Sequence, residues 1–336
     1  MAIVHKPAIL LLPLLISLFL QKKDQQQYSI HGYAQGTDYS IKYFAEDSVV
    51  TKRSVDSILL KIDSSMSLYK PYSLISQFNR SANGILMDAH FTRVMKKSFE
   101  IYKDTQGKFD VTVAPLVQAW GFGPKPVSLF PDSAMVRQLL QNVGMNYLEL
   151  RGNYLKKKKP GVKIDLNGIA QGYSVDVVAG YLLSKGIRSF VVEIGGELRV
   201  EGPKPDGTVM RIGIEGPALS AQSEPEIRHV LSFSSGAVTT SGNYRKYLQR
   251  GKGNIAHLIN PKTGYPLDNQ LISATIYAKD AITADGYDNA VMSMSVDEAL
   301  AFVAAKKGME AYLIYRRKDG SVADTLSSGF RKMIVK

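Results

Sequence analysis

The segment from Thr283 to Ala290 carries three oxygen-bearing side chains at helical spacing. Asp285, Asp288 and Asn289 stand at positions i, i+3 and i+4, so they share one face if the segment is helical. Carboxylate and amide oxygens are hard ligands that suit magnesium better than zinc. Apolar residues follow at once, which indicates a packed helix where two acids need a partner or a metal. A solvated acidic face is the alternative, and the pattern leaves both open.

A second candidate for chemistry is the segment from Lys163 to Tyr173. Its pattern predicts a strand that ends at Asp165, a turn that contains Gly168, and a helix from about Gln171. A turn before a helix N-terminus exposes free amides that favour phosphate, and it leaves carbonyls free to hold a cation. A plain strand-to-helix connection with Asp165 as a cap explains the pattern as well.

Two weaker signals are rich in small residues. Gly195 and Gly196 follow a buried strand predicted over 187–194, and they allow either close approach of a ligand or a tight turn. The segment Ala237 to Tyr247 places small hydroxyl residues beside Gly242. Such a turn can bind phosphate but is more often structural.

A histidine supplies the candidate acid-base group. His257 is predicted on a short apolar strand, directly before a turn at Pro261 to Gly264, and histidine is the residue type best suited to acid-base chemistry near neutral pH. Other chemistries are excluded by what the sequence lacks. It has no cysteine, hence no disulfide, thiolate metal site or cysteine nucleophile, and it has no P-loop, GxSxG elbow or two-histidine zinc helix.

The elements that must position these residues alternate irregularly between strands and helices. Strands are predicted over 39–43 and 312–315 and after Asp319-Gly320, and a hairpin joins 147–150 to 154–158. Helices are predicted from apolar spacing over 55–66, about 92–104 and about 133–142, and from a capping box at Ser295. This mixture predicts a single α+β domain with mixed sheet order rather than a regular α/β alternation.

The charge is strongly positive but dispersed. Lys and Arg number 42 against 30 Asp and Glu, a formal net charge of +12. The only tight basic run, Lys156 to Lys159, is predicted to be a solvated hairpin tip. No zinc-finger spacing or basic-aromatic motif accompanies it, so we do not expect nucleic acid as a partner.

The N-terminus carries an apolar run at residues 7–20, followed by the polar stretch 21–27. The run is shorter than the roughly 20 residues that a membrane span needs. It favours a secretory signal, with an uncleaved anchor as the competing interpretation and a buried core helix as the third. We therefore assign residues 1–27 to a signal peptide or anchor plus linker, and residues 28–336 to the folded domain.

Taken in order, these segments resemble the ApbE family of FAD:protein FMN transferases. The resemblance covers nearly the whole folded chain. It is carried by the following motifs: Gly36-Thr37, Met66 to Tyr69, Pro115 to Val117, Trp120 to Gly123, Asp165 to Gly172, Thr240 to Gly242, His257 to Gly264 and Ala284 to Asp288.

The resemblance implies a T-fold-related α+β domain that binds FAD in an elongated groove beside a magnesium ion. Residues at the family's FAD contacts are Gln35, Tyr69, Trp120, Gly121, Phe122, Asp165, Gln171 and Ile259. Residues at its metal positions are Gly168, Asp285, Asp288 and Asn289. His257 is our candidate base, and Asp285 is chiefly a metal ligand. The chain departs from the frequent family residues at Gln35, Gln171, Asn260 and Asn289.

The activity that the resemblance implies is Mg²⁺-dependent transfer of FMN from FAD to a threonine or serine hydroxyl of a partner protein, with release of AMP. The expected acceptors are flavoprotein subunits of extracytoplasmic or membrane redox complexes. This fits a periplasmic protein that is exported or anchored to the inner membrane. Two alternatives stay open: an FAD pyrophosphatase that uses water as acceptor, and a non-catalytic flavin-binding protein.

Overall fold

The fold is built around a large antiparallel sheet. The computed structural model describes residues 24–216, 226–243, 247–250 and 253–335. The described strands are β1 (Gln26–Ala34), β2 (Thr37–Ala45), β3 (Gly84–Leu86), β4 (Leu148–Arg151), β5 (Tyr154–Lys157), β6 (Phe190–Ile194), β7 (Glu197–Glu201), β8 (Arg211–Glu215), β9 (Ile227–Ser232), β10 (Ser235–Gly242), β11 (Tyr247–Arg250), β12 (Gly253–Ala256), β13 (Leu271–Ala278), β14 (Glu310–Arg316) and β15 (Val322–Leu326).

The helices occupy the segments between these strands. They are α1 (Lys52–Met66), α2 (Leu74–Arg80), α3 (Ala89–Asp104), α4 (Ala114–Ala119), α5 (Ser133–Leu140), α6 (Ala170–Ser184), α7 (Ala281–Val291), α8 (Val296–Ala304) and α9 (Ser328–Met333). Where the structure describes helices, none is long and apolar enough to cross a membrane. The apolar run at 7–20 lies outside the described residues.

Among the described residues, the main sheet has eight strands in the order β1-β2-β6-β7-β10-β13-β14-β15. Its pairings are antiparallel, although the strand order does not follow the sequence. Smaller sheets pair β3-β5-β4, β8-β9 and β11-β12. The α+β prediction is therefore confirmed, and β1 begins two residues before the predicted start of the domain.

Strand alternation divides the packing between the two faces of the sheet. Ala237 of β10 belongs to the main core, which the sheet forms with α1, α3, α6 and α7. The next residue, Val238, belongs to a second core with β8, β9 and α9. Adjacent residues of one strand therefore face different environments.

Helices α6 and α7 are joined by the partly buried Asp176 and by a close approach of their backbones. Asp176 of α6 accepts hydrogen bonds from the first amides of α7, Ala281 N at 3.1 Å and Ile282 N at 2.9 Å. Arg199 of β7 pairs with the same carboxylate at 2.9 Å. Gly172 brings the helices together, since a Cβ there would overlap the Ala281 carbonyl oxygen. This contact fixes the position of α7 against the turn before α6.

Most of the predicted elements are confirmed, but the lysine run is not a hairpin tip. The tip is at residues 152–153, and Lys157 lies within β5 with 4% of its surface exposed. Its ammonium donates to Ser81 O at 2.8 Å, at the C-terminus of α2, and lies 4.5 Å from the ring centre of Phe78. Burial, with the charge of Lys163, lowers the pKa of Lys157 to about 8.

Candidate active site

Four oxygen atoms surround the side-chain amide of Asn289. Its Nδ2 lies 2.9 Å from Asp288 Oδ1, 3.0 Å from the Asp285 carbonyl oxygen, 3.3 Å from the Gly168 carbonyl oxygen and 3.5 Å from Asp285 Oδ1. The predicted group of Gly168, Asp285, Asp288 and Asn289 is thus brought together. The acids share one face of α7, as their spacing predicted.

The second oxygen of each carboxylate is tied to a different element. Asp285 Oδ2 accepts the Gly172 amide hydrogen at 2.7 Å, and Asp288 Oδ2 accepts the Thr239 hydroxyl hydrogen at 2.6 Å. Both Oδ1 atoms are therefore left on the side of Asn289. Sequence reasoning missed Thr239, although strand alternation could have placed it on the face of β10 opposite Thr240.

Both acids are deeply buried, and their ionisation is opposed. Asp285 is 3% exposed and Asp288 1% exposed. Burial raises the pKa of Asp285 to about 7. Burial, followed by the charge of Asp285, raises the pKa of Asp288 well above its usual range. A cation would relieve the repulsion between the two carboxylates.

The donor set fits a hard divalent cation. Two carboxylate oxygens and two backbone carbonyls point toward one position, which is now held by an amide nitrogen with its own partial positive charge. Over the described ranges no group of three or more His, Cys, Asp or Glu side chains could hold a metal. A cation here would depend on carbonyl and amide oxygens as well as the acids, which is the chemistry of magnesium rather than zinc.

The segment before α6 differs from its prediction. Residues 162–166 form no strand. Instead the Asn79 side chain pairs with both backbone groups of Ile164, at 2.8 and 2.9 Å, and Asp165 N donates to Val111 O at 2.8 Å. Asp165 Oδ1 accepts the Asn167 amide hydrogen at 2.8 Å, and burial raises the pKa of Asp165 to about 6. These bonds leave the Gly168 carbonyl facing α7.

The glycine pair forms a tight turn between β6 and β7, and the group that approaches it is Gln171. Gln171 Nε2 donates to Ile194 O at 2.8 Å and to Glu197 Oε2 at 2.6 Å. Gly195 has a φ of +62° and lies so close to Gln171 that a Cβ would overlap the amide. The turn is thereby fixed to the N-terminus of α6.

Gln35 and Tyr69 lie on neighbouring turns. Gln35 occupies the β1–β2 turn with a φ of +55°, and its side chain hydrogen-bonds Asp63. That hairpin reaches the Gly195 turn, because Gly195 N donates to Asp38 O at 3.0 Å. Tyr69 follows α1 and is 64% exposed, so its ring is accessible to a ligand.

Trp120, at the C-terminus of α4, contacts both the turn that ends at Gly264 and the segment around Phe130. Its indole Nε1 donates to Gly264 O at 2.8 Å, and its ring lies 6.1 Å from Phe130 and 5.9 Å from Tyr265 between centres. Only 4% of Trp120 is exposed. The predicted turn before Gly264 is confirmed, with Asn260 Oδ1 accepting the Lys262 amide hydrogen at 2.9 Å. The hydrogen bond from the buried Trp120 indole therefore holds this turn in place.

His257, Phe122 and Ile259 lie beside the Trp120 cluster. His257 was predicted on a short strand, but it lies in a bend directly after β12 ends at Ala256. Its ring meets Phe122 edge to face with 6.2 Å between centres. Phe122 and Ile259 pack against the cluster of Leu116 and Trp120. Gly121 has a φ of +87°, which turns the chain between Trp120 and Phe122.

The hydroxyl-rich segment is a strand rather than a turn. Residues 237–242 belong to β10 and pair with residues 273–278 of β13. Thr240 Oγ1 lies 2.8 Å from Thr275 Oγ1 across that pairing. The consecutive β-branched residues Val238, Thr239 and Thr240 favour a strand, so strand packing prevails over the turn that the small residues suggested. Residues 244–246 of this segment lie outside the described residues.

Comparison with known proteins gives consistent matches. A family model described as the ApbE family matches residues 35–313. A Vibrio cholerae protein named FAD:protein FMN transferase is 34% identical over 322 residues, which cover 94% of this chain and 95% of that protein. A Haemophilus influenzae protein of the same name is 34% identical over 331 residues, with 95% and 94% covered.

Solved structures give the same result. The flavin transferase ApbE from Vibrio cholerae superposes with a TM-score of 0.81 at 33% identity, covering 92% of this chain and 99% of that chain. The apo form of the Pseudomonas stutzeri flavinyl transferase ApbE also gives 0.81, at 29% identity, covering 92% and 97%.

Proposed function

Because the chain belongs to the ApbE family, we propose that it transfers FMN from FAD to a threonine or serine hydroxyl of a partner protein and releases AMP. One observation carries the proposal beyond family membership. Asp285, Asp288 and Gly168 direct four oxygens at a single point, which suits a cation beside an anionic pyrophosphate.

The residues that would hold Mg²⁺ are Asp285, Asp288, Gly168 through its carbonyl, and Asn289 through its amide oxygen, provided that the Asn289 side chain turns its Nδ2 out of the position it now holds. When bound, Mg²⁺ neutralises charge on the pyrophosphate and favours departure of AMP. The protein supports this by burying both carboxylates and by tying each Oδ2 atom to the fold. Asn289 in place of a frequent threonine or serine keeps an oxygen donor at that position.

The flavin substrate would lie along the surface between the β1–β2 turn and the Trp120 cluster. Gln35, Tyr69, Asp165 and Gln171 line the part near α6 in this proposal. Trp120, Gly121, Phe122 and Ile259 line the other part. The amides of Asn167, Ile169 and Ala170 already donate within the turn before α6, so the pyrophosphate would be favoured here by the positive end of the helix dipole.

The transfer step needs one proton acceptor. The acceptor oxygen attacks the phosphorus of the FMN half, the bond from that phosphorus to the bridging oxygen breaks, and AMP takes the bridging oxygen and its electron pair. His257 takes the proton of the attacking hydroxyl in this proposal. The Phe122 ring and the imidazole meet edge to face, and this contact limits movement of the imidazole.

The partners and compartment follow from the same proposal. Acceptors would be flavoprotein subunits of extracytoplasmic or membrane redox complexes, and the segment 7–20 would serve as a signal or an inner-membrane anchor. A periplasmic location suits a chain without cysteines, which an oxidising compartment does not affect.

The test is to incubate the protein with FAD, Mg²⁺ and a threonine-bearing acceptor and to measure the acceptor mass. We expect a gain of one FMN moiety, lost in Asp285→Ala and kept in Asp297→Ala, which removes an exposed acid from α8. Retained transfer by Asp285→Ala would place the metal site elsewhere. No mass gain on any acceptor used by the family would refute the proposal.

A further inference from the structure

We infer that Thr239 is a positioning residue of the cation site, whose hydroxyl turns the Asp288 carboxylate so that Oδ1 faces the shared point beside Asn289. The inference rests on the proposed function, because it assumes that this point holds the metal. The sequence pattern placed Thr239 only within a hydroxyl-rich segment that could bind phosphate, and the ApbE resemblance gave Thr239 no role at the metal.

The contact between the two side chains is short and shielded. Thr239 Oγ1 lies 2.6 Å from Asp288 Oδ2, within the range of a hydroxyl that donates to a charged carboxylate. Thr239 is fully buried and Asp288 is 1% exposed, so water does not replace this donor readily. Loss of the hydroxyl would leave a buried carboxylate oxygen without this partner.

The two acids of the site are oriented in the same way by different groups. The backbone amide of Gly172 holds Asp285 Oδ2 at 2.7 Å, and the side chain of Thr239 holds Asp288 Oδ2. In both cases the Oδ1 atom faces Asn289 Nδ2. The amide of Gly172 is fixed by α6, whereas the hydroxyl of Thr239 can be removed by substitution.

Thr239 lies in β10, so its hydroxyl is a rigidly placed donor for the Asp288 carboxylate. The strand pairs with β13 over residues 237–242, where Thr239 lies opposite Ile276, and with β7 over residues 235–238, which end directly before Thr239. A donor on a central strand moves little, so it restricts rotation of the Asp288 carboxylate. Groups that orient metal ligands in this way affect metal affinity without touching the metal.

The chain offers a matched control for deletion of a buried threonine hydroxyl. Thr92 Oγ1 in α3 is buried and has no hydrogen-bond partner within the described part of the chain. Thr92→Val therefore removes the same group from a position where it holds nothing. Thr239→Ser keeps the hydroxyl and loses only a methyl group, so it tests rescue.

The experiment is a calorimetric titration of Mg²⁺ into the full chain and its variants. Thr239→Val should raise the Kd for Mg²⁺ by about 10- to 100-fold. Thr239→Ser should stay within a few-fold of the unaltered protein, and Thr92→Val should match it. Thr239→Ala deletes the same hydroxyl without adding a methyl group, and it serves if valine prevents folding.

The outcomes separate this inference from the proposed function. Unchanged Mg²⁺ affinity in folded Thr239→Val or Thr239→Ala would overturn the role of Thr239 while leaving the metal site intact. Equal loss in Thr239→Ser would show that packing, not the hydroxyl, matters, and it would also overturn the inference. No Mg²⁺ binding by the unaltered protein would refute the metal proposal itself and, with it, this role.

Discussion

Gly172 is the position where one added methyl group should disable the site most sharply. A Cβ there would overlap the Ala281 carbonyl oxygen and lie 2.7 Å from Asp285 Cβ. Backbone atoms cannot move aside as a flexible side chain can, so α7 must shift away from α6. That shift also separates the Gly172 amide from Asp285 Oδ2, now 2.7 Å apart.

Two effects should lower the free energy of unfolding in Gly172→Ala. Overpacking of a well-packed interior costs about 1–3 kcal/mol. Weakening a hydrogen bond to a charged group costs about 1.5–3 kcal/mol. Because the shift that relieves the clash also lengthens the bond, the two effects overlap, and we expect a total of about 2–5 kcal/mol.

Gly180 in the same helix provides the control. It is exposed, and a Cβ there would meet nothing within 4 Å. Gly180→Ala should therefore stabilise the protein by about 0.5–1 kcal/mol through helix propensity. Thermal melts with and without Mg²⁺ measure both variants. Gly172→Ala should melt several degrees lower and gain little from Mg²⁺. Melting and Mg²⁺ response like those of Gly180→Ala would refute the close-contact argument.

Three further predictions test other parts of the site and fold. The lowered pKa of Lys157 means that the unfolded chain binds more protons between about pH 8 and 10.5, so stability should rise with pH over that window. Lys157→Met should abolish this rise in thermal melts, and an unchanged rise would contradict the assignment to Lys157. Trp120 is the only tryptophan, so FAD should quench the intrinsic fluorescence in a saturable way, and no quenching would contradict its placement beside the flavin. His257→Gln should lower the transfer rate by about 10²- to 10⁴-fold while leaving FAD binding intact, and a rate within a few-fold would remove His257 as the base.

The parts of the site that depend on local spacing were predictable from sequence. Asp285, Asp288 and Asn289 lie in one helix, so the period of the helix alone brings them together. The Asn260 to Gly264 turn has residue types that favour turns, and it formed where they stand. The family resemblance added the distant Gly168, whose carbonyl reaches α7 only through the fold.

The sequence-based predictions that were wrong or missing concern residues whose positions depend on tertiary contacts. Residues 162–166 have the pattern of a strand, but the Asn79 side chain takes the place of a neighbouring strand at Ile164. Lys157 was predicted to be a solvated charge, yet β5 places it against the C-terminus of α2, where its ammonium donates a hydrogen bond to the Ser81 carbonyl oxygen. Thr239 went unnoticed because one strand residue cannot be assigned to a helix partner 49 positions away.

The central claim is that the whole FMN moiety is transferred, through its phosphorus, to a protein hydroxyl and not to water. The most direct measurement is the ratio of AMP released to FMN bound covalently on a threonine-bearing acceptor, with FAD and Mg²⁺ in excess. The account predicts a ratio close to one and negligible AMP when the acceptor threonine is replaced by valine. Sustained AMP release without an FMN mass gain on the acceptor would contradict it.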